Sequence, residues 1–589
     1  MDYEIDNLDM PMLAKVYKRL KKDTRRFTIL TVRDTFDNLD FEINLTKYLS
    51  DLAYQIKKSI YNPQKPYIHL YPKSKGINRL TVVFDINEAI VYRFCIEQIE
   101  DELLRKARKD GIYGGRKISP SANAQGGDFY EKLFTEWKEF IDSLANSLQT
   151  KPFIASTDIA SYFECINLLT LKDMVRSDVS SKKGVLNLLF YFLENARMRY
   201  EYEVNTYVGL PQEDINCSRI LAYYFLNMHD EKMFQFCKEN DAEFYRFVDD
   251  MNIIVNSEVI GKHALKTLTE SLRRLGLTAS IEKTSILTAD EARKEFFFNE
   301  NHELNKYEGE LFPLLDRGDS TSAIKKKTET YYRHLQRKGK AKLKGWLKIL
   351  KRFYTIFTYT QSDILLVDIK SHLINYPLVF VGNKIIKYLL CNQNSPKYNK
   401  CLLDLMEYLY SKENLYPVLE THILESFLYI NENNILEPTK KRIAAMSEDI
   451  FFVKNGYQPL SDYSRAIACL LAFRFNPQLI DKMANHYLKA EEQDCMLKKY
   501  LIAIALTTEN NPIRNKVLEK AKREQNVSIT RLINLIDNIN NYKDKDSVKK
   551  YIANDRIYIY KSKLSERYSP VRAQILSKLI KIYSKTGDL

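Results

Sequence analysis

FYRFVDDMNIIV, residues 244–255, sets two adjacent carboxylates between two apolar runs. Aromatic and β-branched residues on either side of a polar break predict a β-hairpin with Asp249 and Asp250 at its tip. Those are unusual tip residues. A two-residue hairpin favours Asn-Gly or Asp-Gly for their positive φ angles, whereas neighbouring aspartates repel one another. Something has to neutralise them, and a divalent cation does so: Mg2+ takes oxygen ligands from one or two carboxylates and from substrate phosphates.

Upstream, KPFIASTDIASYFECIN, residues 151–167, reads as an apolar strand that ends at Asp158 and gives way to a helical pattern containing Phe163. Taken singly, Asp158 reads first as a helix N-cap. Paired with Asp249 and Asp250 it reads differently, because a strand end can meet a hairpin tip. Converging aspartates of this kind hold two Mg2+ or Mn2+ ions about 3.5–4 Å apart, where they activate a 3′-hydroxyl and stabilise a leaving pyrophosphate.

The rest of the chain frames these stretches. Its 589 residues, 45% hydrophobic and 28% charged, suit several folded units and exclude a peptide, a disulfide-stapled mini-protein or a disordered tail. With 17 Gly and 16 Pro, long helices are expected rather than a turn-rich all-β protein. From about 60 to 300, β-type runs alternate with helical patterns; beyond about 320 nearly every segment has a helical period. The expected fold is therefore an α+β N-terminal half followed by an all-α C-terminal half. Segments such as NKCLLDLMEYLYSK and DCMLKKYLIAIAL repeat apolar residues at i, i+3, i+4 and i+7, as HEAT-like helical repeats do, with a compact bundle as the alternative. PLLDRGDSTSA, 313–323, has the chemistry of a linker.

Lys and Arg total 90 against 76 acids, and a net +14 favours a polyanionic partner. Much of the surplus lies between Lys325 and Arg352, where twelve basic residues face only Glu329. Lys325, Lys326, Lys327, Arg333, Arg337, Lys338 and Lys340, interleaved with Tyr331, Tyr332, His334 and Trp346, form the expected nucleic-acid grip. Eight scattered cysteines read as reduced thiols. No apolar stretch approaches the ~18 residues of a membrane span, and the start is not signal-like, so a reducing cytoplasm and no membrane are expected.

Together these residues resemble a reverse transcriptase. Asp158 to Asn167 looks like motif A, Phe247-Val248-Asp249-Asp250 like the Tyr-x-Asp-Asp of motif C, and Gly209-Leu210-Pro211-Gln212 with the following SRILAYYFL like motif B. GLTASIEKTSIL, 276–287, is similar to motif D with Lys283 in the lysine position, and FFFN, ending at Asn299, to motif E. YPKSKGINRLTVVFDINEAIVYRF resembles the fingers, with Lys73 and Arg79 where that family places triphosphate-binding cations, and YGGR, 113–116, fits the same region. The likeness spans roughly residues 45–310. With its helical second half, the chain looks most like the bacterial defence-associated reverse transcriptases of the abortive-infection and unknown-group type.

The resemblance implies fingers and an N-terminal helical region over 1–150, a palm over 151–310, a basic thumb-like or linker segment over 311–355 and a helical-repeat domain over 356–589. It implies that Asp158 and Asp249 ligate two metal ions with the Ile159 carbonyl, Asp250 lying beside them. Phe163 would be a steric gate under the sugar and Gln212 a contact to the incoming nucleotide. Lys73 and Arg79 would hold its phosphates, and Lys283 would protonate the pyrophosphate. Family members act against phage, and some make DNA without a template from a tyrosine primer and work as oligomers. The implied partners are thus dNTPs, a single-stranded DNA product, a noncoding RNA and further copies of the chain, in a bacterial cytoplasm. Tyr3 and Tyr583 are the accessible primer candidates among 40 tyrosines.

Two departures matter. Glu213 and Asp214 follow Gln212 where the family usually has Gly, adding bulk and negative charge where a template would lie; Phe247 replaces the common Tyr. Untemplated or protein-primed synthesis is therefore favoured. The alternatives are a conventional templated reverse transcriptase copying a dedicated noncoding RNA and, second, a non-catalytic RNA-binding scaffold.

Overall fold

β-Branched runs that bury both faces make the central strands of the sheet on which the aspartates sit. The computed structural model describes residues 5, 8–27, 32–108, 110–115, 133–179, 181–196, 207–382, 384–489, 492, 494–554, 558–560, 563–564 and 571–584. It is mostly helical, with one five-stranded sheet and two two-stranded ones. The large sheet has the order β3 (Ile112–Tyr113), β5 (Glu243–Phe247), β6 (Asp250–Val255), β4 (Phe153–Asp158) and β7 (Ser285–Thr288). All pairs are antiparallel except β3 with β5.

Alternation assigns the two faces. Met251, Ile253 and Val255 of β6, with Ala155 of β4, join one core, which packs beneath helices Asn227–Glu239 and Glu258–Arg274. Ile254 and Ile154 point the other way, onto Phe140, Ile141 and Leu144 of helix Leu133–Ser147. A sheet buried on both sides reads as near-continuous apolar sequence. One small sheet is the hairpin β1 (Tyr67–Ser74) and β2 (Ile77–Val83). Its turn, Lys75-Gly76, has φ values of 53° and 79°, the positive pair that a tight hairpin with the strands' own twist requires.

The helical half is built on two rows. We label its helices α1 (Trp346–Tyr359), α2 (Ile369–Asn375), α3 (Lys384–Cys391), α4 (Tyr398–Leu409), α5 (Pro417–Leu428), α6 (Glu437–Phe452), α7 (Asp462–Phe475), α8 (Leu479–Lys489), α9 (Cys495–Ala505), α10 (Asn511–Ala521) and α11 (Val527–Asp537). Along one row α1, α3, α5, α7, α9 and α11 each pack on the next; α2, α4 and α6 do so along the other, as do α8 and α10. The expectation of an all-α half needs one correction, because β8 (Tyr558–Tyr560) and β9 (Lys563–Leu564) pair as a short hairpin. The expected linker at 313–323 is also shorter: helix Phe298–Arg317 runs through Pro313 and stops only at Gly318, whose φ of 79° suits a helix C-cap.

The two halves share buried polar contacts. Residues 32–43, at the N-terminal end of the chain, place Val32, Phe36, Leu39 and Ile43 in the core of the helical half. Arg33 bonds Tyr463 through its backbone N–H at 2.9 Å and Tyr429 through its guanidinium at 2.5 Å. Lys499 of α9 bonds Asp34 at 2.5 Å and Asp40 at 2.9 Å, the Lys499 and Asp40 side chains being nearly inaccessible and that of Asp34 largely buried. Burial works against the ammonium, yet the two carboxylates hold it above its ordinary value. At the hairpin, the Gly76 N–H donates to Tyr416 at 2.8 Å, which fixes β1 and β2 to the start of α5.

Removing Lys499 leaves two buried carboxylates without their cation. Lys499→Met is therefore expected to cost about 3–5 kcal/mol, read as a lower urea midpoint by circular dichroism; an unchanged midpoint would show that this ion cluster does not hold the halves together.

Candidate active site

Phe247 pairs with Asp250 across β5 and β6, so the turn residues are Val248 and Asp249. The tip lies one residue earlier than expected from sequence, and Asp250 is already in strand. Val248 has φ +56°, a conformation costly for a β-branched residue. Its backbone N–H donates to the Tyr113 carbonyl at 3.2 Å, and its carbonyl accepts from Arg246 Nη1 at 2.7 Å. Arg246 is wholly buried and grips Asp230 through its other nitrogens at 2.8 and 2.6 Å, a bidentate pair. Gly114, with φ +95°, lies so close that a Cβ there would stand 2.5 Å from Val248 Cγ2.

This clamp delivers three carboxylates to one place. Asp158, last residue of β4, stands opposite Asp250 in the strand register, and Asp249 projects from the adjoining turn. Burial, then the fields of Asp158 and Asp250, push the Asp249 carboxyl up to about 7. Burial also raises Asp250, with Lys348 working against the rise and Asp158 adding to it. Lys283 Nζ donates to Asp158 Oδ2. Burial opposes the lysine's charge, but the bond to Asp158 and the neighbouring carboxylates raise its ammonium overall. The loop carrying Lys283 is stitched to the strand end: the Ser280 N–H donates to the Asp158 carbonyl at 2.7 Å and the Ala160 N–H to the Thr278 carbonyl at 2.8 Å. A cavity of about 350 Å³ opens here between Asp158, Asp250, Asn252, Lys283, Lys344 and Lys348.

Among the described residues no group of three or more His, Cys, Asp or Glu stands at ready-made metal spacing. Mg2+ does not need one, because it takes one or two carboxylates and completes its shell with water and substrate phosphates. The donors here are hard carboxylate oxygens, facing each other across a strand pair. Asp158, Asp249 and Asp250 therefore suit such an ion. Ile159, expected to add its carbonyl, is bridged to Ala279 at the same strand end.

The other expected residues lie around this centre. Phe163 is half-buried against Tyr162, with ring centroids 5.5 Å apart, and its carbonyl accepts the Leu210 N–H at 2.8 Å, joining the first aspartate's segment to the Gly-Leu-Pro-Gln loop. The Gln212 carbonyl accepts the Val82 N–H of β2 at 2.8 Å. Lys73 and Arg79 are exposed on the β1–β2 hairpin. Arg116 and Tyr3 lie outside the described residues.

Four expectations change. Glu213 does not present its charge to a template: its carboxylate accepts the backbone N–H of Ser218 at 2.7 Å and that of Ile215, capping helix Cys217–Phe225, where a carboxylate meets the positive end of the dipole. Burial pushes that carboxyl up to about 7. Tyr332 and Trp346 do not stack on bases, because both are core residues. Part of the basic grip is satisfied internally: Lys325 bonds the Gln361 carbonyl at 2.8 Å, Lys327 Glu310 at 2.9 Å, Arg333 Glu329 at 3.6 Å and Lys340 Glu300 at 2.8 Å. Lys326, Arg337 and Lys338 remain exposed on or just after helix Ser322–Arg337. Lastly, the Tyr583 hydroxyl is buried, and burial pushes it up to about 12. Sequence reasoning missed Arg246 and Asp230, and of Gly114 in YGGR it missed the close approach to Val248, because these roles come from contacts remote in the chain.

No family model matches the chain, and no curated protein does. Similar solved structures include apo telomerase from Candida tropicalis truncated from its C-terminal domain, 16% identical over 41% of this chain and 55% of that one, TM-score 0.27. They also include telomerase from Candida albicans in complex with a fragment of telomeric RNA, 14% identical over 62% and 67%, TM-score 0.30. The chain thus spans little more than half of the first, and at these scores nothing about its activity follows.

Gly114→Ala is expected to cost about 1–3 kcal/mol by overpacking against Val248, and Val248→Gly in the same chain to restore part of it. Urea denaturation of the two variants and their combination measures the coupling; strictly additive losses would mean that Gly114 does not shape the turn.

Proposed function

We propose that this chain is a reverse-transcriptase-like DNA polymerase that joins nucleotides from dNTPs at the Asp158, Asp249 and Asp250 end of the sheet. It starts from a tyrosyl hydroxyl without an external template and serves antiviral defence against phage. The Asp158 and Asp250 carboxylates, which line one cavity beside Lys283 with Asp249 in the adjoining turn, carry this reading. Groups whose protonation is perturbed by burial and by each other mark functional sites. Two Mg2+ or Mn2+ ions bound there supply Lewis-acid charge neutralisation and lower the pKa of the attacking hydroxyl.

The chain's own residues set the reaction's geometry. Asp158, Asp249 and Asp250 supply the negative oxygens that fix the cations. The nucleophilic hydroxyl gives up its proton to solvent water and its oxygen bonds to the α-phosphorus, the bond from that phosphorus to the bridging oxygen breaks, and pyrophosphate leaves. Lys283, held beside Asp158 as an ammonium, gives the departing pyrophosphate a proton as general acid. Phe163 bounds the sugar, Gln212 contacts the incoming nucleotide, and Lys73 and Arg79 of the fingers hairpin hold its phosphates. The untemplated reading is supported by the bond from Val82 to the Gln212 carbonyl, which commits the backbone beside the nucleotide to the protein's own strand. The HEAT-like character of the two helical rows, self-association and a bacterial cytoplasm belong to the same reading.

The exposed Lys326, Arg337 and Lys338 favour one other reading, a templated enzyme holding a dedicated noncoding RNA. Purified protein with Mg2+ and labelled dNTPs, given neither template nor primer, is expected to yield RNase-resistant product that runs with the protein until protease is added. Synthesis only after RNA is supplied would favour the templated reading. Asp249→Ala/Asp250→Ala is expected to fall to the no-enzyme background; retained synthesis would overturn both. Lys283→Ala is expected to slow incorporation roughly 10²- to 10⁴-fold with an unchanged melting temperature, and an unaltered rate would remove Lys283 from proton transfer.

A further inference from the structure

Helix α1 leads away from the aspartates and carries cations on one stripe. Lys348, which lines the aspartate cavity, and Lys351 are one turn apart, and Thr355 follows at i+4 from Lys351. Lys384 of α3 donates to Thr355 Oγ1 at 2.6 Å, and Lys387 lies one turn further along α3. Arg79 of the fingers hairpin adds its charge beside Lys351. The line from Lys348 to Thr355 is about 10 Å long at 1.5 Å per residue, and Lys384 stands at its far end, so it outruns a triphosphate.

No carboxylate within the described residues forms an ion pair with Lys348, Lys351, Lys384 or Lys387. Glu308, which acts on Lys384 from nearby, is already bound by Arg352 at 3.0 Å and by Lys138 at 2.6 Å. Arg352, next in sequence to Lys351, shows the contrast: it is fully partnered by Glu308, Asn301 and Asn305. Burial, then the neighbouring cations, push Lys351 and Lys384 down to about 8, and burial lowers Lys387 as well. Gathering like charges out of water is unfavourable unless an anion joins them.

We propose that this lysine line is an exit track that takes the phosphodiester backbone of the single DNA strand leaving the aspartate cavity. It deepens, and rests on, the polymerase reading above.

The test uses the full chain carrying Asp249→Asn, so that binding is read without synthesis and independently of whether the protein polymerises. Fluorescein-labelled dT20 is titrated by anisotropy across a salt series. Lys384→Gln/Lys387→Gln is expected to weaken binding on the order of tenfold and to lower the log–log salt slope by about 1.4, two cations at 0.7 each on a single strand. Lys387→Gln alone, which breaks no hydrogen bond to Thr355, is expected to lower the slope by about half as much. Unchanged affinity and slope in both would overturn the track. So would an equal loss from Lys326→Gln/Lys338→Gln, which would make total charge the cause. Displacement of dT20 by dTTP with the same sensitivity to these variants would assign a nucleotide pocket instead, and preference for rU20 over dT20 would assign an RNA groove; either outcome overturns it.

Discussion

Three carboxylates share one end of a sheet only where the backbone is held against their repulsion. Here the holding group is Arg246. Its guanidinium spans from Asp230, in the helix beneath the sheet, to the Val248 carbonyl in the turn. The pair is nearly inaccessible on both sides, and breaking one member of such a pair leaves an uncompensated buried charge. The second restraint is steric. Gly114 presses on the Val248 side chain while the Tyr113 carbonyl takes its N–H, so the two-residue strand β3 serves as a stop for the turn. With Val248 fixed at positive φ, Asp249 projects from the turn and Asp250 enters the strand opposite Asp158.

The cavity's cationic wall depends on a different set of contacts. Lys344 and Lys348 reach it from the helical half, whereas Lys283 comes from the loop stitched to β4. Their meeting requires the two halves to be registered to within a side chain. Lys499 with Asp34 and Asp40, Arg33 with Tyr429 and Tyr463, and the Gly76 bond to Tyr416 supply that register. Directional buried bonds specify one docking geometry where apolar contact alone tolerates several. The segment 32–43 does so by leaving the N-terminal half to pack in the core of the other.

Much of this was legible in the sequence, and the limits have physical causes. The strand ending at Asp158 and the Asp249-Asp250 hairpin follow from local pattern, and β4 and β6 are where the apolar, β-branched runs put them. The turn shifted by one residue because a positive φ at Val248 is unfavourable locally and is imposed by Arg246 and Gly114, which no local rule ties to it. Glu213 misled because its charge was read as exposed, while its length lets it fold back onto the N–H groups of Ile215 and Ser218. Tyr332 and Trp346 belong to the apolar stripes of helices whose other faces carry the lysines, so interleaving in sequence did not mean adjacency in space. Lys384 and Lys387 escaped notice for the converse reason: they stand in KIIKYLLC, an apolar context with no local excess of charge.

That contrast bears on how charge is used in this fold. The densest basic stretch lies on an exposed helix, and several of its side chains are satisfied by Glu310, Glu329 and Glu300. Exposed pairs of this kind contribute little, since water screens them and ordering long side chains has an entropic cost. Lys351 of α1 and Lys384 and Lys387 of α3 are half-buried and unpaired by carboxylates, so each interacts through a lower dielectric with whatever charge approaches. A few such groups outweigh a larger number of solvated ones. The electrostatics of the molecule are therefore set where α1 passes the aspartates, carboxylates on the sheet and ammonium groups on the helix, rather than where basic residues are most numerous.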